Sequence, residues 1–324
     1  MKLSEPVNIG SIVAKNRICI PPMVLYGHPR EDGRVTEGHI AHYEALAKGG
    51  AGLIIQEATC VFPTGRLRKD QLGIWADDHI SGLSGITDAV HREDCPIFVQ
   101  LHHAAVEDLA KLDVEEIKTA FIQAGRRAYL AGYDGVELHG CHSYLLCQLL
   151  NARTNRSGID GLVLIRDIVE GIRQETSPEF VIGIRLGAFE PALTDGIRHA
   201  KALEALGIHF MDVSYGFAGH MDTAAPGDET LSDVIRGAAA IRQAVSVPVF
   251  AVGGIRSPEQ AEEILQKTGV DMVDIGRSAL VDPDWPKKAL SGKMSGKCLG
   301  CKVCQWRIDP AKCPGRWILK EKTK

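Results

Sequence analysis

Val249-Phe250-Ala251-Val252-Gly253-Gly254-Ile255-Arg256-Ser257-Pro258 opens as a strand and closes as the start of a helix. Four apolar residues with no polar alternation suit a strand covered on both faces. Two glycines let a backbone pass close to another group. Ser257 is a good helix N-cap and Pro258 suits the first helical position. The stretch therefore reads as one strand-turn-helix unit whose turn presents amides and a helix dipole to an anion.

The same grammar repeats on either side. Downstream, Asp274-Ile275-Gly276-Arg277-Ser278 offers another strand end, a glycine, a guanidinium and a new helix start. Upstream, short Val- and Ile-rich runs fall at 18–20, 52–58, 96–101, 135–139, 180–186 and 210–215, which with 248–254 and 272–276 makes eight. Helical segments separate them. One begins at Asp113-Val114-Glu115-Glu116 with Ile117, Phe121, Ala124 and Ala128 on one face and Gly132 near its end. Eight alternations predict a parallel sheet closed into an α/β, (β/α)8 TIM barrel. An open doubly wound sheet would place a glycine-rich turn after its first strand, and Pro21-Pro22 stands there instead. The barrel is expected over residues 1–290. A short Cys-rich C-terminal extension, 291–324, is expected to pack on it.

Composition narrows the function classes. The chain has 324 residues, 45% hydrophobic and 24% charged, with formal net charge -4. That balance argues against a nucleic-acid surface. The N-terminus lacks an apolar secretory core, and no run of about 18 apolar residues is present to span a membrane. A cytoplasmic protein is expected, acting on small molecules.

Barrels commonly hold a phosphate in the turns after strands seven and eight. Gly253, Gly254, Gly276 and Arg277 are the residues placed for it here. The fourth strand ends in Glu137-Leu138-His139-Gly140-Cys141-His142-Ser143-Tyr144. On a turn, His139 and His142 can converge two N–H donors on one oxygen, and Tyr144 can donate a proton. A metal-ligand pair or structural histidines are the competing readings. Arg185 sits inside an apolar strand, where its charge requires an anionic partner. Gln100 ends the third strand, where its amide can meet a pyrimidine edge. His102 stands two residues on, a further candidate.

Taken in order, these stretches resemble the old yellow enzyme family of FMN-dependent NAD(P)H oxidoreductases over about residues 1–290. The resemblance is carried by Asn16-Arg17-Ile18-Cys19-Ile20-Pro21-Pro22-Met23, Gly52-Leu53-Ile54-Ile55-Gln56-Glu57-Ala58 and Gln100-Leu101-His102-His103-Ala104. It continues in His139 to Leu146, Thr154-Asn155-Arg156 and Ile275-Gly276-Arg277. It implies that Pro22, Met23 and Val24 line the flavin, that Ala58 and Gln100 contact its ring, and that Arg185 sits by N1. It further implies a phosphate held by Gly253, Gly254, Gly276 and Arg277, a substrate gripped by His139, His142 and Tyr26, and Tyr144 as proton donor. The implied reaction is reduction of an activated C=C bond, with NAD(P)H as electron source. Flavin dehydrogenation of amines or cyclic substrates, or a non-catalytic flavin-binding subunit, are the alternatives. Val24 departs from the Thr or Cys of many members, and Ala104-Ala105-Val106-Glu107 replaces the family's Gly-Arg. The loops at 104–112 and 158–161 are short, which predicts a more open site or a lid from a second chain in a homo-oligomer.

Cys298-x2-Cys301-x2-Cys304-x8-Cys313-Pro314 is a metal-binding pattern. Four close thiolates suit a [4Fe–4S] cluster, with zinc the alternative. The position is similar to that of the cluster in the 2,4-dienoyl-CoA reductase branch of the family. On this reading a ferredoxin or flavoprotein partner is an expected electron donor.

Overall fold

In a computed structural model of the chain, residues 1–27, 30–216, 221–293 and 295–322 are described. Met294, Thr323 and Lys324, within the expected extension, lie outside them. A short antiparallel hairpin, β1 (Val7–Ile9) and β2 (Ile12–Ala14), comes first. Eight strands follow: β3 (Ile18–Ile20), β4 (Leu53–Cys60), β5 (Ile97–His102), β6 (Gly135–Gly140), β7 (Val181–Gly187), β8 (Met211–Ser214), β9 (Val249–Ala251) and β10 (Met272–Asp274). They run parallel, and β10 pairs back to β3, which closes the barrel.

The helices between them are α1 (Glu37–Lys48), α2 (Ile80–His91), α3 (Val114–Leu130), α4 (Leu145–Leu150), α5 (Gly161–Glu175), α6 (Leu193–Ala205), α7 (Asp233–Ala244) and α8 (Pro258–Thr268), and α9 (Arg277–Val281), α10 (Trp285–Leu290) and α11 (Pro314–Lys322) follow the last strand. Their starts obey local chemistry. Asp113 accepts from the Glu116 amide at 3.0 Å, and Ser257 accepts from the Gln260 amide at 3.2 Å. The eight expected strands are the eight observed. The last two stop earlier than expected, at Ala251 and Asp274, because the glycines beyond them leave the ladder and turn.

Alternate residues of a strand face the barrel interior, and this period of two sorts the inside into tiers. The floor is apolar. Phe98, Val181, Phe210, Phe250 and Met272 cluster with Cys19, Leu53 and Ile55. Phe210 stacks on Phe98 at 5.2 Å and on Phe250 at 4.9 Å. A Cβ on Gly183 would meet the Phe210 ring at 2.0 Å, so that glycine makes room for the stack. Val7, Ile9 and Ala14 of the hairpin join the same cluster and plug the amino-terminal end. The hairpin was not anticipated from sequence. Its strands are three residues long and Val13 is exposed, so no buried run announces them. The middle tier is polar: Gln100, Glu137, Arg185, Asp212 and Asp274. Two residues further along come His102, His139, Ser214 and Gly276 at the carboxyl rim. The intervening Val99, Val136, Ile184, Val213 and Val273 face outward and pack in the second cluster, with the helices.

Beyond α10 the chain folds back onto this rim. Trp306 is buried against Leu25 and Leu280. The Arg316 guanidinium lies 4.7 Å from the Trp306 ring centroid, and its Nε donates to the Leu280 carbonyl at 2.9 Å.

Candidate active site

The turns after β9 and β10 meet in a cleft of about 200 Å³. Pro21, Pro22, Met23, Gly254, Gly276 and Arg277 line it, together with Arg185 and Asp274 from the middle tier. Gly254 has φ +68 and open space at its Cβ position. That backbone is one glycine adopts without strain. A Cβ on Gly276 would come within 3.1 Å of Met23 Sδ and narrow the cleft. The geometry fits a phosphorylated ligand. Two guanidiniums, Arg256 and Arg277, and the start of a helix surround a cavity that stays open because glycines line it.

Gly253 behaves differently from its neighbour. Its Cβ position faces Ser232, Val234 and Ile235 around the start of α7, so it allows close helix packing rather than lining the cleft. Val24 and Ala58 also fall outside the cleft wall. Ala58 is buried, and its carbonyl accepts from Gln71 Nε2 at 2.7 Å. Gln100 is committed to the middle tier, donating its amide to Glu137 Oε1 at 2.7 Å.

The histidines occupy the same rim as the cleft. His139 is the register partner of Arg185 across β6 and β7. Around it the imidazoles form a chain. His102 Nδ1 and His139 Nδ1 are 3.0 Å apart, His139 Nε2 and His142 Nδ1 3.1 Å, and His142 Nε2 and Ser214 Oγ 2.7 Å. Nitrogens expected to converge on one oxygen are instead turned toward each other. The turn that carries them is unusual, since His142 and Ser143 have φ 61 and 66. Non-glycine residues in that region are held there by their surroundings. Burial pushes His102 and His142 down to about 3 and His139 well down too, so all three are neutral at ordinary pH. Three neutral rings, each with one N–H, can align their tautomers head to tail. Tyr144 packs edge-on to His102 at 4.6 Å and to His139 at 4.8 Å. Half-buried, it has its phenol pushed up, mainly by burial and also by Cys141 and Tyr26. Tyr26 lies under the Arg68 guanidinium at 5.0 Å.

Sequence reasoning missed Ser214 and left His102 a minor candidate. They stand 72 residues from His142 and 37 from His139 along the chain, so only closure of the barrel brings them in. The one signal available was position: each lies at a strand's carboxyl end. His139, Cys141 and His142 place their ligand atoms within 4.8 Å of one another.

The tail cysteines are not gathered around one ion. No three of their sulfurs lie that close among the described residues. Around zinc, with Zn–S near 2.3 Å, they would stand about 3.8 Å apart. Cys298 reaches the cleft wall, Cys304 and Cys313 are half-buried, and Cys301 is exposed.

A glycine-lined cleft bearing guanidiniums and a set of imidazoles on one rim of a closed parallel barrel suit a flavin-type oxidoreductase barrel. The profile of the NADH:flavin oxidoreductase / NADH oxidase family matches residues 2–108 and 105–295. The chain belongs to that family, the old yellow enzyme family of FMN-dependent NAD(P)H oxidoreductases. It is 34% identical to an NADPH dehydrogenase of Halalkalibacterium halodurans, over 89% of this chain and 94% of that protein. It is 33% identical to an NADH oxidase of Thermoanaerobacter brockii over 91% of its own length, but it spans only 52% of that relative. Among solved structures, an old yellow enzyme homologue from Zymomonas mobilis superposes with TM-score 0.76 at 22% identity, covering 95% of this chain and 99% of the other. A 2-naphthoyl-CoA reductase in complex with 2-naphthoyl-CoA gives 0.82 at 21%, covering 95% and 56%. At such identities the likeness is one of fold.

Proposed function

We propose that the chain binds FMN across the barrel mouth and reduces activated C=C bonds with electrons from NAD(P)H. The observation that carries this is the shared rim: Arg185 lines the cleft with Gly276 and Arg277 and pairs in register with His139. When bound, FMN would supply hydride-transfer chemistry between nicotinamide and substrate. The residues do the rest. Arg277, with Gly254 and Gly276, holds the phosphate. Pro22 and Met23 form one wall with Val24 following just outside it, and Ala58 and Gln100, behind that wall, would lie toward the ring. Arg185 meets the charge that builds near N1. His139 and His142, once a substrate oxygen separates them, donate to it and stabilise the developing enolate. Tyr144 holds the proton for the adjacent carbon, and Tyr26 closes the substrate side.

The division into a barrel, 1–290, and a tail, 291–324, belongs to the same proposal. Cys298, Cys301, Cys304 and Cys313 are proposed ligands of a [4Fe–4S] cluster. Four thiolates are the donor set such a cluster takes, and the four irons between them allow a wider spacing than one zinc ion does. A protein electron donor of ferredoxin or flavoprotein type fits the charge of this region. Residues 291–324 carry nine Lys and Arg against two Asp and Glu, on a chain whose net charge is -4. A homo-oligomer that completes the short loops is part of the same reading.

Anaerobic purification followed by absorption and metal analysis tests the cofactors. Mixing with NADPH or NADH should bleach the flavin, and cyclohexenone should restore its colour. A colourless protein that takes up no FMN sinks the proposal. Flavin that no donor bleaches points to the non-catalytic alternative.

A further inference from the structure

Between the apolar floor and the histidine rim lies a tier whose charges do not balance. Glu137 of β6, Asp212 of β8 and Asp274 of β10 face one guanidinium, Arg185 of β7, and all four are buried. Arg185 Nε stands 3.3 Å from Asp212 Oδ2, and its Nη2 3.9 Å from Asp274 Oδ2. With all three carboxyls ionised, both oxygens of Asp212, both of Asp274 and Oε2 of Glu137 have no donor. Two negative charges would remain in excess in a closed barrel, where unpaired charge is strongly disfavoured. Asp212 is the carboxyl on which both Glu137 and Asp274 act, so it lies within their reach. Two protons, shared through those contacts, remove the excess charge and give Asp212 its missing donors.

We propose that Glu137 and Asp274 are neutral acids donating to an ionised Asp212, so that Arg185 meets the flavin as half of a neutral pair rather than as a free cation. Burial pushes Glu137 and Asp274 well above the usual carboxyl range. It raises Asp212 too, opposed by Arg185. The other groups facing the tier add no charge. Cys19 of β3 has its thiol pushed well up, as does Cys141 beyond β6, and His139 is neutral. Arg185 and Asp274 both line the cleft, so tier and cofactor seat are contiguous. This inference rests on the reading that the cleft seats FMN. A compensated Arg185 stabilises anionic reduced flavin less than a bare one does, which keeps the flavin a stronger hydride donor. Asp212 acts through Arg185 and is a positioning residue.

The test uses FMN-loaded protein and two readouts, the flavin midpoint potential and the infrared carbonyl bands of protonated carboxyls. Asp212→Asn should shift the potential positive, changing the reduced-to-oxidised ratio at fixed poise at least tenfold, about 30 mV for a two-electron couple. Asp274→Asn keeps a donor toward Asp212 and should move it less than half as far. Glu137→Gln and Asp274→Asn should each delete one acid band, and Asp212→Asn should delete neither. Should Asp212→Asn fail to fold, the wild-type bands and their loss in the other two variants still decide. Equal potential shifts from Asp212→Asn and Asp274→Asn, or a wild type without acid bands, would overturn the proposal. Protein that takes up no FMN yet shows both bands refutes the cofactor reading and leaves the two protons in place.

Discussion

Tyr144 owes its position to rings that come from other strands. His102 leaves the end of β5 and His139 sits near the end of β6, and the phenol packs edge-on to both. On the proposed function, a phenol so held acts in only one half of the reaction. Tyr144→Phe should leave bleaching by NADPH unchanged and slow reoxidation by an enone by about 10² to 10⁴-fold, read by stopped-flow. Arg277 lines the cleft proposed to seat the other end of the cofactor. Arg277→Met removes a charge-assisted contact and should weaken FMN affinity by roughly 10- to 100-fold, measured by flavin fluorescence. At this scale the sequence was legible wherever a polar residue interrupts a strand. Arg185, Gln100 and His139 stand out among apolar neighbours. Asp212 and Asp274 interrupt strands too, yet nothing local reveals that they share one guanidinium. That fact belongs to the closed barrel.

The elements were legible for the same reason that they are stable. Strands covered on both faces read as Val- and Ile-rich runs, and caps such as Ser257 and Asp113 mark the helices. The hairpin escaped because its alternating, half-exposed residues resemble a loop. One connection depends on a buried acid. The segment after β3 is tied to β4 by Glu57, which accepts from the Leu25 amide at 2.9 Å and from Tyr43 Oη at 3.2 Å. Burial pushes Glu57 up to about 8. Its folded value exceeds its unfolded one, so the native state binds the extra proton between them. Stability therefore falls as pH rises from about 4.5 to about 8, by up to about 5 kcal/mol from this group. Glu57→Gln should flatten that part of the curve, and urea midpoints across the range would show it. An unchanged slope would assign the effect elsewhere.

For the molecule as a whole, the barrel and the returning tail meet at Trp306. Its indole covers Leu25 and Leu280, with Tyr26 packed against the same cluster. Trp306→Ala should cost about 3 kcal/mol or more of the tail's attachment. Limited proteolysis should then cut within residues 291–322 while the barrel core survives. The packing of Trp306 was unforeseen because one tryptophan in a polar stretch carries no periodicity. Among the described residues no helix is long and apolar enough to cross a membrane.

Among the described residues, the plug that β1 and β2 press against the phenylalanine floor closes the amino-terminal end of the barrel. On the proposed function, nicotinamide and alkene would both approach from the opposite end and take turns there, each departing before the other is admitted. Initial-rate plots against one reactant at several fixed levels of the other should accordingly give parallel lines, and each reactant in excess should inhibit by occupying the other's place.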